Sequence, residues 1–172
     1  MKKIILLSSL GLLVLALSLL SFSAEKSPKV NLNEIEWYTL EAALEANQKD
    51  GKKILIDVYT DWCGWCKVMD QKTFTNPEVI RYVNENFYAV KFDAEQRTPI
   101  TYKGKKYEFL PGGRRGIHAL AYELLDRNAS YPSFVVLDEN MNRLGIIKGY
   151  KKPKPFISAL QQKGGLGYGV SE

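Results

Sequence analysis

The sequence predicts an α/β domain with a mixed central β-sheet flanked by helices, and three observations carry that prediction. Lys53 to Tyr59 (KILIDVY) and Phe87 to Phe92 (FYAVKF) are largely apolar on both faces, as strands covered on both sides are. Capping signals mark helices before, between and after them. The last third holds two strands joined by a short turn and then a helix, which adds antiparallel strands to a β-α-β half. Composition agrees: 172 residues, 45% hydrophobic and 25% charged, suit one globular domain with its own core.

Taken in order, the chain opens with Lys2 and Lys3, an apolar run from Ile4 to Leu20, and small residues at Ser21, Ser23 and Ala24. This is the layout of a secretory signal over residues 1–24, with cleavage after Ser23 or Ala24. An uncleaved membrane anchor is the competing reading, and the apolar run is at the short edge for spanning a bilayer. Residues 25–33 read as a linker. Glu36-Trp37-Tyr38 reads as a short strand, and Thr39 caps a helix over 40–48 with Leu40, Ala43, Leu44 and Asn47 on one stripe. After KILIDVY comes a turn, then a helix from Cys63 to about Gln71. Asn76 caps the next helix, with Pro77 at its first position, running to about Asn86 and leading into FYAVKF. Residues 94–116 form an insert: ITYKGKKYEF (100–109) predicts a hairpin turning near Gly104, and LPGGRRG (110–116) a loop. A helix is expected from Ile117 to Leu125, strands at 134–137 and 144–147, and a terminal helix over 155–162. The Gly-rich stretch 164–172 reads as a flexible tail.

Charge narrows the function. The formal charge is +5; without the first 24 residues, which hold Lys2, Lys3 and no acid, 22 basic residues face 19 acidic ones, a net +3. That is too mild, and its clusters too scattered, to argue for nucleic acid. There are only two cysteines, Cys63 and Cys66, spaced C-x-x-C. So short a loop removes little entropy from the unfolded chain, so the pair is a weak staple. Zinc usually needs four ligands, and His118 is the sole histidine. Haem attachment needs a His directly after the second Cys, where Lys67 stands. Redox exchange fits better. Cys63 sits where a strand gives way to a helix, and free N–H groups there favour a thiolate. Cys66 lies one turn on, able to attack a mixed disulfide formed at Cys63.

Asp57 stands in the middle of an otherwise apolar strand, six residues before Cys63. It either reaches solvent or is a desolvated carboxyl whose raised pKa lets it take the proton of Cys66. Lys91, in the second buried strand, either pairs with Asp57 or reaches water at the sheet edge. Trp62 and Trp65 flank the thiols and are hard to bury together, so one of them is a candidate contact surface for partner proteins. Pro132 directly precedes an apolar strand, and its isomer is open at this point. His118 is expected in a surface or core role.

The segment ILIDVYTDWCGWCK (54–67) resembles the active-site segment of thioredoxins, Lys91 in AVKFD resembles the lysine placed near the acid, and YPSFVVLD (131–138) resembles the segment carrying their cis-proline. Gly149 resembles the glycine after the last strand. CKVMDQKTFTNPEVIRYVNENF is more similar to exported thioredoxin-like proteins related to the C-terminal domain of DsbD. The resemblance covers residues 34–163 and implies a thioredoxin fold, with the insert placed before the helix that leads to the cis-proline. It implies catalysis by Cys63, Cys66, Asp57 and Lys91, and substrate contact through Trp62, Gly64, Trp65, Tyr131 and Pro132. It implies no metal and no organic cofactor. Protein disulfides would be the substrates and a thiol-donating partner, such as a membrane reductase, the electron source, in the periplasm. The chain departs from the family at Gly64-Trp65, where Gly-Pro is common, so the direction of exchange stays open between reduction and oxidation or isomerisation. Tyr131 is a bulky residue before the proline, and the insert has no counterpart in minimal thioredoxins. A non-catalytic peptide-binding or chaperone module is the reading from a different class, and a metal chaperone a third.

Overall fold

The fold is described for residues 31–165 of a computed structural model. The expected signal, residues 25–30 of the linker and residues 166–172 of the tail lie outside the described residues.

Five strands form the central sheet. They are β1 (Trp37–Tyr38), β2 (Lys53–Tyr59), β3 (Phe87–Asp93), β8 (Ser133–Leu137) and β9 (Arg143–Lys148), in the spatial order β1-β3-β2-β8-β9. The first three run parallel, and β8 and β9 are antiparallel additions. The expected mixed sheet is therefore present. Helices α1 (Leu40–Asp50), α2 (Gly64–Lys72), α3 (Pro77–Asn86), α4 (Ala119–Leu124) and α5 (Pro153–Gly164) complete the α/β fold.

Alternation along β2 sorts the core into two layers. Ile54, Ile56 and Val58 face α1 and α4, packing with Leu40, Ala43, Leu120 and Leu124. Leu55 faces the other way, toward Met69 of α2, Val79 and Val83 of α3 and Phe156 and Leu160 of α5. Side chains two apart share a face, so Asp57 lies on the Leu55 side, the side of α2. In the second layer the Phe134 and Phe156 rings pack edge to face, 4.9 Å apart.

Local signals placed the helices well. Thr39 Oγ1 accepts from the Ala42 N–H at 3.2 Å, and Asn76 Oδ1 accepts from Glu78 and Val79 at 3.0 and 3.3 Å. The terminal helix begins at Pro153, earlier than the expected 155. Both Pro153 and Pro155 fall in its first turn, where the missing N–H costs no hydrogen bond.

The insert and the segment after it differ from expectation in two short strands. Its hairpin is present as β4 (Ile100–Tyr102) and β5 (Lys105–Tyr107), turning at Lys103-Gly104. The helix expected from Ile117 starts only at Ala119. Ile117–His118 is instead a strand, β7, paired antiparallel with β6 (Phe109–Leu110). Two contacts impose this. Gly116 reverses the chain at φ +76, where a Cβ would come within 2.3 Å of Phe109 Cζ. The His118 N–H then donates to the Ala94 carbonyl at 2.7 Å, which holds the backbone extended. Buried His118 caps α4 through Nδ1, accepting from Leu120 N at 3.3 Å. The insert is also part of the core: Ile100, Tyr102 and Tyr107 are buried in the α1/α4 layer.

Candidate active site

β2 ends at Tyr59, and the chain turns through Thr60-Asp61-Trp62, with the Cys63 N–H donating to the Thr60 carbonyl at 3.1 Å. Cys63 is the N-cap of α2, and Cys66 falls in its first turn. The two are joined as a disulfide, and both are 4% exposed. Cys63 Sγ accepts from the Cys66 N–H at 3.1 Å. No acidic residue occupies the first turn of α2, so the free amides and the helix dipole are left to act on sulfur at Cys63.

Beneath the helix lies the charged cluster. The register of β2 and β3 sets Asp57 directly opposite Lys91. Asp57 is 2% exposed, and Lys91 Nζ donates to its Oδ2 at 2.8 Å. The other oxygen, Oδ1, is buried and accepts no hydrogen bond. Burial raises the Asp57 pKa to about 6, against the lowering pull of Lys91. Of the two readings open for Asp57, the desolvated carboxyl is the one observed. Lys91 is half-buried and also pairs with Asp70 of α2. Burial pulls its pKa down, but the two carboxylates more than offset this and hold it above the ordinary value. The rings of Trp37, Tyr59 and Phe74 surround its ammonium at 4.9, 5.1 and 5.3 Å.

At the surface, Trp62 and Trp65 remain 51% and 61% exposed. Each is backed by a tyrosine. Trp62 meets Tyr131 edge to face at 5.9 Å, and Trp65 stacks on Tyr150 at 5.5 Å. β8 runs antiparallel to β2, so its first residue, Ser133, pairs with Val58 near the end of β2. Pro132 therefore sits at the sheet end where the cysteines lie. The Tyr131–Pro132 peptide bond is cis, and the Pro132 carbonyl accepts from the Gly149 N–H at 2.9 Å. Gly64, between the cysteines, has open space where a Cβ would stand.

Every residue singled out in the sequence for the site thus lies at this end of the sheet. Several neighbours were missed. Asp70 follows Cys63 by seven residues, two helical turns, and that spacing could have pointed to it. Tyr150 follows directly on Gly149. Glu95 and Arg115 come from the insert: Trp62 Nε1 donates to Glu95 Oε1 at 2.8 Å, and the Arg115 guanidinium lies 5.6 Å from the Trp62 ring centre. No local pattern announces those last two.

The family model described as Thioredox_DsbH, a protein of unknown function (DUF255), matches residues 21–109. The chain belongs to this family. Among relatives, spermatogenesis-associated protein 20 of Mus musculus is 35% identical over 80 residues, 44% of this chain and 10% of that protein. The thiol:disulfide interchange protein DsbD of Haemophilus ducreyi is 43% identical over 54 residues, 31% of this chain and 9% of DsbD. The chain thus covers about a tenth of the length of these relatives. Two solved structures share the fold. A DsbH oxidoreductase superposes with a TM-score of 0.58 at 17% identity, covering 84% of this chain and 94% of that one. A thioredoxin from Thermus thermophilus gives 0.56 at 20% identity, covering 81% and 94%. The fold of this chain is the thioredoxin fold, and Cys63 and Cys66 form a C-x-x-C disulfide within it.

Proposed function

We propose that the protein is an exported thiol–disulfide oxidoreductase that reduces protein disulfides. The observation that carries this reading is a C-x-x-C pair at the N-terminus of α2, set on the face of the sheet that buries Asp57 against Lys91. In the reduced protein, the Cys63 thiolate attacks one sulfur of a substrate disulfide. A mixed disulfide forms, and the other substrate sulfur leaves as a thiolate. Cys66 then gives up its proton and attacks Cys63 Sγ, releasing the second substrate thiolate. Two electrons pass to the substrate, and the Cys63–Cys66 disulfide remains. Asp57 takes the Cys66 proton: its pKa of about 6 leaves it mostly ionised yet basic enough at neutral pH. Lys91 tunes that carboxylate. Pro132, Trp62, Gly64, Trp65 and Tyr131 form the surface that receives the substrate chain. A partner thiol protein, such as a membrane reductase, returns the electrons. Export rests on the signal-like residues 1–24, and a periplasmic site suits a pair of this kind.

Insulin reduction with a dithiol donor tests the reading. Wild type should be active and Cys63→Ser inactive, while Cys66→Ser should accumulate a mixed disulfide visible by mass. Equal activity of wild type and Cys63→Ser would overturn it. The reduction potential sets the direction: a value near about −270 mV supports a reductant, and one near about −120 mV an oxidant.

A further inference from the structure

Beside the cysteines the insert builds a groove that the exchange chemistry does not require. It is an open trough of about 710 Å³, within the roughly 300–1,000 Å³ that ligand sites occupy. One wall is Trp62 and Tyr131. The other is the loop 110–116, with Leu110 at its start, and Tyr122 of α4 lies alongside. Trp62, Leu110 and Tyr122 are among the large apolar side chains the described residues leave exposed, and all three face this one trough. Apolar surface gathered in one place marks a contact site more often than chance exposure does.

The loop is held in place. The Gly116 N–H donates to the Gly112 carbonyl at 2.7 Å, and the Ala119 N–H to the Glu108 carbonyl at 2.9 Å. Arg97 covers the outer ring of Phe109 at 4.5 Å. The groove is therefore formed before anything binds, which lowers the ordering cost of an occupant.

Its charge is lopsided. Arg114 and Arg115 rim the trough against one carboxylate, Glu95. Glu95 is engaged by Trp62 Nε1 at 2.8 Å and by Arg115 only at 3.9 Å. Among the described residues no carboxylate pairs with Arg114. An occupant with an acidic group would meet an unpaired guanidinium, and an apolar one the aromatic floor.

We infer that the groove receives an extended segment of the substrate polypeptide, flanking its disulfide and carrying an apolar side chain next to an acidic one. This rests on the proposed function, because the groove abuts Trp62 and Tyr131, the residues directly before Cys63 and Pro132. A bound chain with its disulfide at Cys63 has this trough as its continuation. The insert is then a selectivity element, favouring acidic-flanked disulfides over basic-flanked ones.

Two peptide disulfides, identical except for Asp-Leu or Lys-Leu beside the cysteine, provide the test. Wild type should reduce the Asp peptide with a kcat/KM about tenfold higher, and added salt should shrink the difference. The double variant Arg114→Glu/Arg115→Glu should reverse the preference, a result that misfolding cannot produce. A cysteine-free Asp-Leu peptide, followed by fluorescence anisotropy, should bind wild type and lose about tenfold in the double variant. That arm reads the groove even where no disulfide is reduced, so failure of the redox reading and failure of the groove are told apart. Equal treatment of both peptides with no binding, equal losses for both in the variant, or reduction of glutathione disulfide as efficiently as the Asp peptide would each overturn the inference.

Discussion

At the scale of single residues the buried carboxyl dominates. Asp57 titrates near 6 in the folded protein because burial disfavours its charge, whereas the ordinary value is 3.8. Protons therefore favour the folded state through this group. Its contribution is complete below about 3.8 and is lost as pH rises through about 6. A gap of about two pH units, at about 1.4 kcal/mol each, amounts to about 3 kcal/mol. Wild type is accordingly expected to weaken by about 3 kcal/mol relative to Asp57→Asn between about pH 3 and pH 7, in urea unfolding of the oxidised protein. Parallel pH slopes for the two proteins would contradict the assignment. The same substitution should slow resolution of the mixed disulfide by about 100-fold in single turnover, with the first attack by Cys63 little changed. Asp57, Lys91 and the cysteines were legible in the sequence because chemistry-bearing residues stand out in apolar strands and at a strand-to-helix turn. Glu95 and Arg115 were not, since each acquires its role from a partner on another element.

At the scale of elements, caps and clamps fix the helices that carry the site. Asn84 of α3 shows how one side chain can tie distant segments. Its Nδ2 donates to the carbonyls of Asn31 and Glu34 at 2.7 and 2.8 Å, and its Oδ1 accepts from Glu36 N at 3.0 Å. Asn84→Ala leaves three backbone groups without these partners, and a loss of about 2–3 kcal/mol in chemical denaturation is expected. Asn76→Ala, which removes an N-cap from the same helix, should cost about 1 kcal/mol. A smaller effect for Asn84 than for Asn76 would show that water replaces the clamp at little cost. Thr39, Asn76 and Pro77 declared their helices because capping is local chemistry. Ile117–His118 read as helix because a two-residue strand has no periodicity. Its conformation is set by Phe109–Leu110 alongside and by the Ala94 carbonyl, and neither pairing is written in the segment itself.

At the scale of the whole molecule, the insert belongs to the core rather than decorating it. Ile100, Tyr102 and Tyr107 are buried among α1 and α4 residues, so replacing residues 100–107 with a short turn should cost several kcal/mol, read as a drop in melting temperature. Unchanged melting would contradict this. The mixed sheet with helices on both faces followed from apolar patterning and from the parallel-then-antiparallel sequence of strands. The packing of the insert did not, because its alternation over three residues per strand is too short to say which face turns inward. The chain holds two cysteines and no third. A single molecule therefore has one internal cross-link available to it, so oxidation during folding cannot scramble connectivity within the chain. Mispairing between protein thiols has to join two molecules, and a sizing column then separates those products from the monomer.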